Sequence, residues 1–223
     1  MEHIDLIILV IANTGTDYYC GFINEYWSYF INYIDSNNYN IKVFLLFGNG
    51  YNVKQIDINE KNIILSEGTH EDWIPGILHK TIFGLEYIHN TYTYKHILRT
   101  NLSSFFILDN LVKTNKMLPE FNIYAGICAP DFVSGAAYWL SKDIVEYILH
   151  NKSELNFNAW DDVAIGKLLE HFLKTQLNRY DIPENSDMEN IVSTCKDHYH
   201  IRVKSSNRNK DVITMKKLFQ LFY

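Results

Sequence analysis

Tyr94-Lys95-His96-Ile97-Leu98-Arg99-Thr100-Asn101-Leu102-Ser103-Ser104-Phe105-Phe106 lies near the middle of the chain. Ile97 and Leu98 read as a buried strand that stops at a polar tip, Arg99 to Ser104. The tip hands over to the amphipathic run Phe105-Phe106-Ile107-Leu108-Asp109-Asn110-Leu111-Val112. A polar strand end opening into a helix, in an α/β chain, is where such folds place ligands. Arg99, Thr100, Asn101 and Ser103 offer a cation, an amide and hydroxyls that can hydrogen-bond ribose or phosphate. Ser103 can equally cap the helix that follows.

The flanks decide that the chain is α/β. Towards the N-terminus, Ile4-Asp5-Leu6-Ile7-Ile8-Leu9-Val10-Ile11 is a nearly continuous apolar run. Strands apolar on both faces belong to parallel sheets covered by helices. This one ends in the small polar loop Ala12-Asn13-Thr14-Gly15-Thr16. Ile23, Tyr26, Trp27, Phe30, Ile31 and Ile34 then recur at helical spacing. Ile41 to Phe47 is a second buried strand, closed by Gly48-Asn49-Gly50, and Asn62 to Leu65 a third, short one. Ile74, Ile77, Leu78, Leu85 and Ile88 mark a helix with Pro75 near its start, where a missing N–H costs little.

Beyond the central stretch, Tyr124 to Ser134 is strand or loop, broken at Pro130. Ser134-Gly135-Ala136-Ala137-Tyr138 is a run of small residues that lets a backbone or ligand approach closely. Ser141 reads as an N-cap, with Asp143 in the first turn of a helix reaching His150. Asp161-Asp162 opens another helix, with Ile165, Leu168, Leu169 and Phe172 as its buried stripe. Tyr180 to Glu189 reads as a polar loop, His198 to Lys204 as a strand, and Ile213 to Phe222 as a terminal helix. With no repeat, linker or boundary, residues 1–223 read as one α/β domain with helices on both sheet faces.

Composition narrows the function. The net charge of −6 argues against a nucleic-acid partner, because phosphate-backbone binding needs a basic face. Cys20, Cys128 and Cys195 are odd in number and far apart, so neither a disulfide framework nor a zinc site is expected. Glu2 and Asp5 interrupt the apolar N-terminus, which is too short for a membrane span and lacks the basic start of a signal peptide. A cytoplasmic protein is therefore expected. The phosphate loop, the dinucleotide fingerprint, the nucleophile elbow and the zinc-protease motif are all missing from the sequence.

Three further constellations carry chemistry. In a strand, His198, His200, Arg202 and Lys204 share one face, which suits a diphosphate with or without a metal. Tyr199, Ile201 and Val203 share the other. Asp161 and Asp162 follow Trp160 at a helix start: one acid suffices to cap the helix, and the second is free to act as a general base. Trp73, Trp139 and Trp160 can stack on sugars or fill the core.

Asp72-Trp73-Ile74-Pro75-Gly76-Ile77-Leu78-His79-Lys80-Thr81 resembles the D-x-Y-x-N-L-T-x-K-T segment of the β-1,3-galactosyltransferase and Fringe class of glycosyltransferases. Arg99 to Phe105 stands where that class has K-T-D-x-D-x-F. Pro130 to Ser141 resembles its P-x-Y-x-S-G-G-G-Y-x-x-S, and Asp161-Asp162-Val163-Ala164-Ile165-Gly166 its E-D-V-x-x-G. The four segments keep their order from Asp72 to Gly166. The chain also resembles the compact, anchorless GT-A domains of large DNA viruses and some bacteria.

The resemblance implies a GT-A-like fold, a mostly parallel Rossmann-like sheet. It implies transfer of a sugar from a nucleotide-diphosphate donor, with UDP as carrier, to a hydroxyl of a glycan or glycoprotein, with inversion. Asp162 would be the general base and Asp161 would orient the acceptor or cap the helix. Ala12, Asn13 and Thr14 would hold the nucleotide, with Arg99, Thr100, Asn101, Ser103, Arg202 and Lys204 around the diphosphate. Ser134, Gly135 and Trp160 would face the acceptor. His200 or His198 would occupy the place of a metal-binding histidine. The acids that hold Mn2+ or Mg2+ in the class are here Asn101 and Ser103, which are poorer ligands for hard cations. Three outcomes are open: a metal-independent enzyme using Arg202, Lys204 or Arg99 as counter-charge, a weakened metal site at His200, or a domain that binds without catalysing. A sugar-1-phosphate nucleotidyltransferase fits less well, since no Gly-rich basic loop follows Ile11.

Overall fold

The computed structural model describes residues 2–52, 55–184 and 186–223. Strand β1 (His3–Ile11) is central to a seven-stranded sheet, as its sequence requires. From Leu6 to Ile11 its residues divide by parity. Leu6, Ile8 and Val10 enter one core, and Ile7, Leu9 and Ile11 enter the other. Each such side chain taken out of water contributes roughly 1.5–3 kcal/mol.

Around β1 stand β2 (Ile41–Phe47), β3 (Ile63–Leu65), β4 (Thr93–Asn101), β6 (Tyr124–Cys128), β7 (Val133–Ser141) and β8 (Lys174–Gln176). Their order is β3-β2-β1-β4-β7-β6-β8. The pairs β3·β2, β2·β1, β1·β4 and β6·β8 are parallel, whereas β7 runs antiparallel to β4 and β6. A second sheet holds β5 (Ser104–Phe106), β10 (His200–Arg202) and β9 (Tyr180–Asp181), with β10 central. The mostly parallel mixed sheet meets the α/β expectation.

Helices cover both faces. On one lie α1 (Asp17–Phe22), a π turn (Ile23–Trp27), α2 (Ser28–Ser36) and α8 (Arg208–Phe222), which pack on the small sheet and the Trp139 face. On the other lie α3 (Gly76–Thr91), α5 (Lys142–His150) and α6 (Asp161–Leu168). Helices α4 (Leu108–Met117) and α7 (Met188–Cys195) complete the fold. Ile23, Tyr26, Trp27, Phe30, Ile31 and Ile34 are all buried, as their spacing requires. No helix among the described residues is long and apolar enough to cross a membrane.

Several local readings change. The central stretch does not pass straight into a helix: Ser104–Phe106 is strand β5, paired antiparallel to β10, and α4 starts only at Leu108. Two buried phenylalanines beside a partner strand outweigh the helical pattern. Ser103 caps nothing, since α4 begins from Ile107 without a side-chain cap. The small-residue run is part of strand β7. Ser141 stands at the N-cap of α5, yet its hydroxyl donates to Asp143 (2.5 Å) and accepts from Ile123 N (2.9 Å). Of the α6 stripe, Ile165 and Leu169 are buried, while Leu168 and Phe172 are half-buried. The loop expected from Tyr180 to Glu189 holds β9 and the start of α7.

Candidate active site

The parallel strands β1 and β4 end side by side, with Ile11 opposite Asn101. The antiparallel β7 begins beside β4, with Thr100 opposite Ala137, so its first residues reach the same edge. Arg202 of β10 lies opposite Ser104 and closes the edge from the small sheet. A cleft of about 640 Å³ opens where these ends converge.

The acidic side is built by α6. Asp161 is buried and pairs with the guanidinium of Arg99. Arg99 also donates to Gly135 O and lies over the Tyr138 ring at 5.4 Å. Burial alone would lower the Arg99 pKa, but the Asp161 carboxylate and the neighbouring Tyr138 and Asp162 hold it above the usual value. A charge-assisted pair thus ties the end of β4 to the start of α6. Asp162 makes no ion pair among the described residues. Its carboxylate accepts from Gly135 N at 2.8 Å and from Val163 N at 3.0 Å, and it lines the cleft. Neither acid is the N-cap, a place held by Trp160.

The basic side is built around the tip. Arg202 donates to Asn101 Oδ1 and, at 3.5 Å, to Ser104 Oγ. Asn101 Oδ1 also accepts from Ser103 N and Ser103 Oγ, both at 3.3 Å, and from Ser104 Oγ at 3.4 Å. Burial, with Arg179 and Arg208 close by, pushes the Arg202 pKa down. Burial and the same arginine cluster push Lys204 down as well. Arg179 and Arg208 also line the cleft. Arg179 is paired with Asp181 at 3.0 Å, and Arg208 with Asp211.

Lys80, on α3, supports the first strand end. It is buried, donates to Ala12 O at 2.9 Å and pairs with Glu71, whose other oxygen accepts from Gly48 N at 2.5 Å. One buried pair therefore fixes the ends of β1 and β2 together. Trp73 and Trp160 stand at the cleft wall, 59% and 50% exposed, their rings perpendicular with centroids 5.4 Å apart.

Most expected residues converge here: Ala12, Asn13, Arg99, Asn101, Ser103, Ser134, Gly135, Trp160, Asp161, Asp162, Arg202 and Lys204 all line the cleft. Four do not. Thr14 turns aside to accept from Asn52 N at 3.0 Å. Thr100 is buried and donates to Ala136 O at 2.7 Å, because alternation along β4 puts it on the face opposite to Arg99 and Asn101. His200 is buried, stacked on Phe106 at 5.1 Å, and His198 packs on Tyr180 at 5.7 Å. Strand β10 is three residues long, so the shared face expected from His198 to Lys204 is not a cleft wall along its length. Trp139 is in the core.

Arg179, Arg208, Tyr18 and Tyr19 line the cleft without having been singled out from sequence. Arg179 sits in a connector and Arg208 just after the Asn207 cap of α8, where no periodicity marks them. Their one signal is a basic residue directly before β9 and another in the first turn of the helix that follows β10.

The resemblance puts a divalent cation at Asn101 and Ser103. The side chains there do not fit one. The amide oxygen that would face the ion already carries a guanidinium, and Ser103 spends its hydroxyl on the same oxygen. Among the described residues no three His, Cys, Asp or Glu side chains gather as a metal site would require.

No curated protein sequence matches the chain. A solved structure similar to it is that of a glycosyltransferase involved in the glycosylation of the major capsid of PBCV-1. It shares 12% identity and a TM-score of 0.58, over 96% of this chain and 99% of that one. The galactosyltransferase LgtC, solved with donor and acceptor sugar analogs, aligns at 11% identity over 98% and 95% of the two chains, and its TM-score of 0.49 carries no weight here. Residues 124–181, which span β6 to β9 and hold Gly135, Asp161, Asp162 and Arg179, match the family model described as Galactosyltransferase. The chain therefore has a GT-A-like fold, and the segment that matches the Galactosyltransferase model forms the acidic wall of its cleft.

Proposed function

We propose that this protein is a glycosyltransferase that moves one sugar from a nucleoside-diphosphate donor to a hydroxyl of a glycan or glycoprotein. One observation carries the reading. A fixed carboxylate with no ion-pair partner among the described residues, Asp162, and a group of cations, Arg202, Lys204 and Arg179, line a single cleft at the strand ends. UDP as the carrier, inversion, and kinship with the β-1,3-galactosyltransferase and Fringe class follow from the motif order alone.

In this reading Asp162 takes the acceptor hydroxyl proton as the oxygen attacks the anomeric carbon. The bond from that carbon to the diphosphate breaks, and the electron pair leaves on the diphosphate oxygen. The growing charge there is met by the basic side of the cleft, whose cations are in place beforehand and need no reorganisation. One displacement gives inversion. Trp73 and Trp160 offer exposed aromatic faces to the acceptor sugar.

The test is Asp162→Asn, with transfer and donor binding measured separately. Transfer is expected to fall on the order of 10²–10⁴-fold with donor affinity kept. Transfer near the wild-type rate would remove Asp162 from the role of base.

A further inference from the structure

We infer that Arg202, seated on Asn101 Oδ1, does the work of a divalent cation, so that donor diphosphate is bound and released without metal. The inference rests on the donor reading above and specifies the counter-charge of that same site.

The local contacts exclude a cation at the tip on chemical grounds. A divalent ion needs oxygens with free lone pairs, and carboxylates hold it far better than neutral amides. Asn101 Oδ1 is neutral and receives Arg202, Ser103 and Ser104 at once. Bringing an ion to it would put two positive groups on one amide oxygen.

The charge pairing of the cleft points the same way. Lys80 is neutralised by Glu71, Arg99 by Asp161, Arg179 by Asp181 and Arg208 by Asp211. Among the described residues, Arg202 and Lys204 have no carboxylate in ion-pair contact. The cleft therefore carries two uncompensated cations beside the tip, where a diphosphate would bring two or more negative charges. Burial first, and then Arg179 and Arg208, push Arg202 down against the upward pull of Asp181, so a bound anion would favour its charged form. A guanidinium binds phosphate oxygens through a planar fork of donors, which also orients the leaving group.

The tip is also held from beneath. Trp27 Nε1 donates to Leu102 O at 3.0 Å, and Phe106 N donates to the Tyr26 hydroxyl at 3.0 Å. The Tyr223 hydroxyl accepts from Leu108 N at 2.7 Å and donates to Phe106 O at 2.6 Å. No ion is needed to shape it.

The experiment is calorimetric titration of the full chain with UDP and GDP, in chelator and in manganese. It is run on wild type, Arg202→Gln, Arg202→Lys and Asn101→Asp, each checked for a cooperative thermal transition. Wild type is expected to bind one nucleotide with the same affinity in both conditions. Arg202→Gln should weaken that binding at least about tenfold and Arg202→Lys by less, because a lysine keeps the charge and loses the fork. Asn101→Asp should gain no manganese dependence, since the new carboxylate pairs with Arg202. Wild-type binding only with manganese, or unchanged affinity in Arg202→Gln, would overturn the inference and leave the donor reading standing. If neither UDP nor GDP binds in chelator or in manganese, the donor reading is overturned and the inference with it.

Discussion

Two adjacent aspartates do different jobs because a helix start turns them to different neighbours. Asp161 is buried against Arg99, and Asp162 accepts backbone N–H bonds at the cleft. Asp161→Asn removes the carboxylate paired with the buried Arg99 guanidinium, so it is expected to cost about 3–5 kcal/mol of stability, seen as a lower denaturation midpoint. Asp162→Asn should leave that midpoint within about 1 kcal/mol of wild type and act on turnover. Equal midpoints in the two variants would mean that the Arg99 pair contributes little. His200 sets a pH dependence of its own. Burial, with Arg179 and Arg202 nearby, holds it well below its ordinary value of 6.5, and its Nε2 has no hydrogen-bond partner among the described residues. It is neutral when folded, whereas the unfolded chain takes up a proton below pH 6.5. Stability is therefore complete above that pH and is lost as pH falls from 6.5 towards the folded value, by at most about 1.4 kcal/mol per unit. Urea melts at pH 7.5 and 5.5 should show the loss, and His200→Phe should shrink it.

At the level of elements, β7 is the strand on which the site turns. A Cβ at Gly135 would come within 3.0 Å of Asp162 Oδ2 and 3.2 Å of Arg99 Nη1. Gly135→Ala is expected to move both side chains and lower turnover about a hundredfold, as small misplacements do. Gly166 of α6 faces backbone instead: a Cβ there would lie 2.6 Å from Asp131 O and 2.5 Å from Phe132 Cβ. Gly166→Ala should cost about 1–3 kcal/mol, read as a lower unfolding midpoint. Those two glycines explain physically why the family-like segments need small residues at these points. Much of this was legible in the sequence. The strands β1, β2 and β4 announce themselves because both faces are buried, and Asp161-Asp162 opens a helix as read. Strand β7 was harder, since Ser134 to Ala137 carries no apolar alternation, and its place is set by β4 and β6 on either side. Strand β5 was invisible because three residues acquire their conformation from β10, 94 positions or more away in sequence. Thr100 and His200 were misplaced for a related reason: alternation gives a face, and only the packing of the small sheet decides whether that face meets solvent, cleft or core.

For the molecule as a whole, the net charge is −6 while the tip side of the cleft is cationic. A ligand anion is repelled by most of the surface and attracted at one edge, which favours productive encounter over general adsorption. Nucleotide affinity should fall as ionic strength rises through the range where the Debye length shrinks below about 10 Å. An affinity indifferent to salt would place binding in the base contacts rather than in the diphosphate. Saturating UDP at a hundred times its dissociation constant should add about 2.7 kcal/mol to folding stability, measurable as a shift in thermal midpoint.

The aromatic pegs under the tip have a consequence for how such a protein can change over generations. Trp27, Tyr26 and Tyr223 belong to the same core that holds α1, α2 and α8 on the sheet, and they also grip the backbone on which Asn101 and Ser103 sit. Reshaping the tip therefore means repacking the core. If the cleft takes a donor, new preferences are more accessible on the opposite wall, where Asn13, Tyr18 and Tyr19 line the cleft with no hydrogen bond to the tip among the described residues. In the proposed reading the diphosphate grip would be inherited with the fold, and the choice of what hangs from it would be left to residues that can drift.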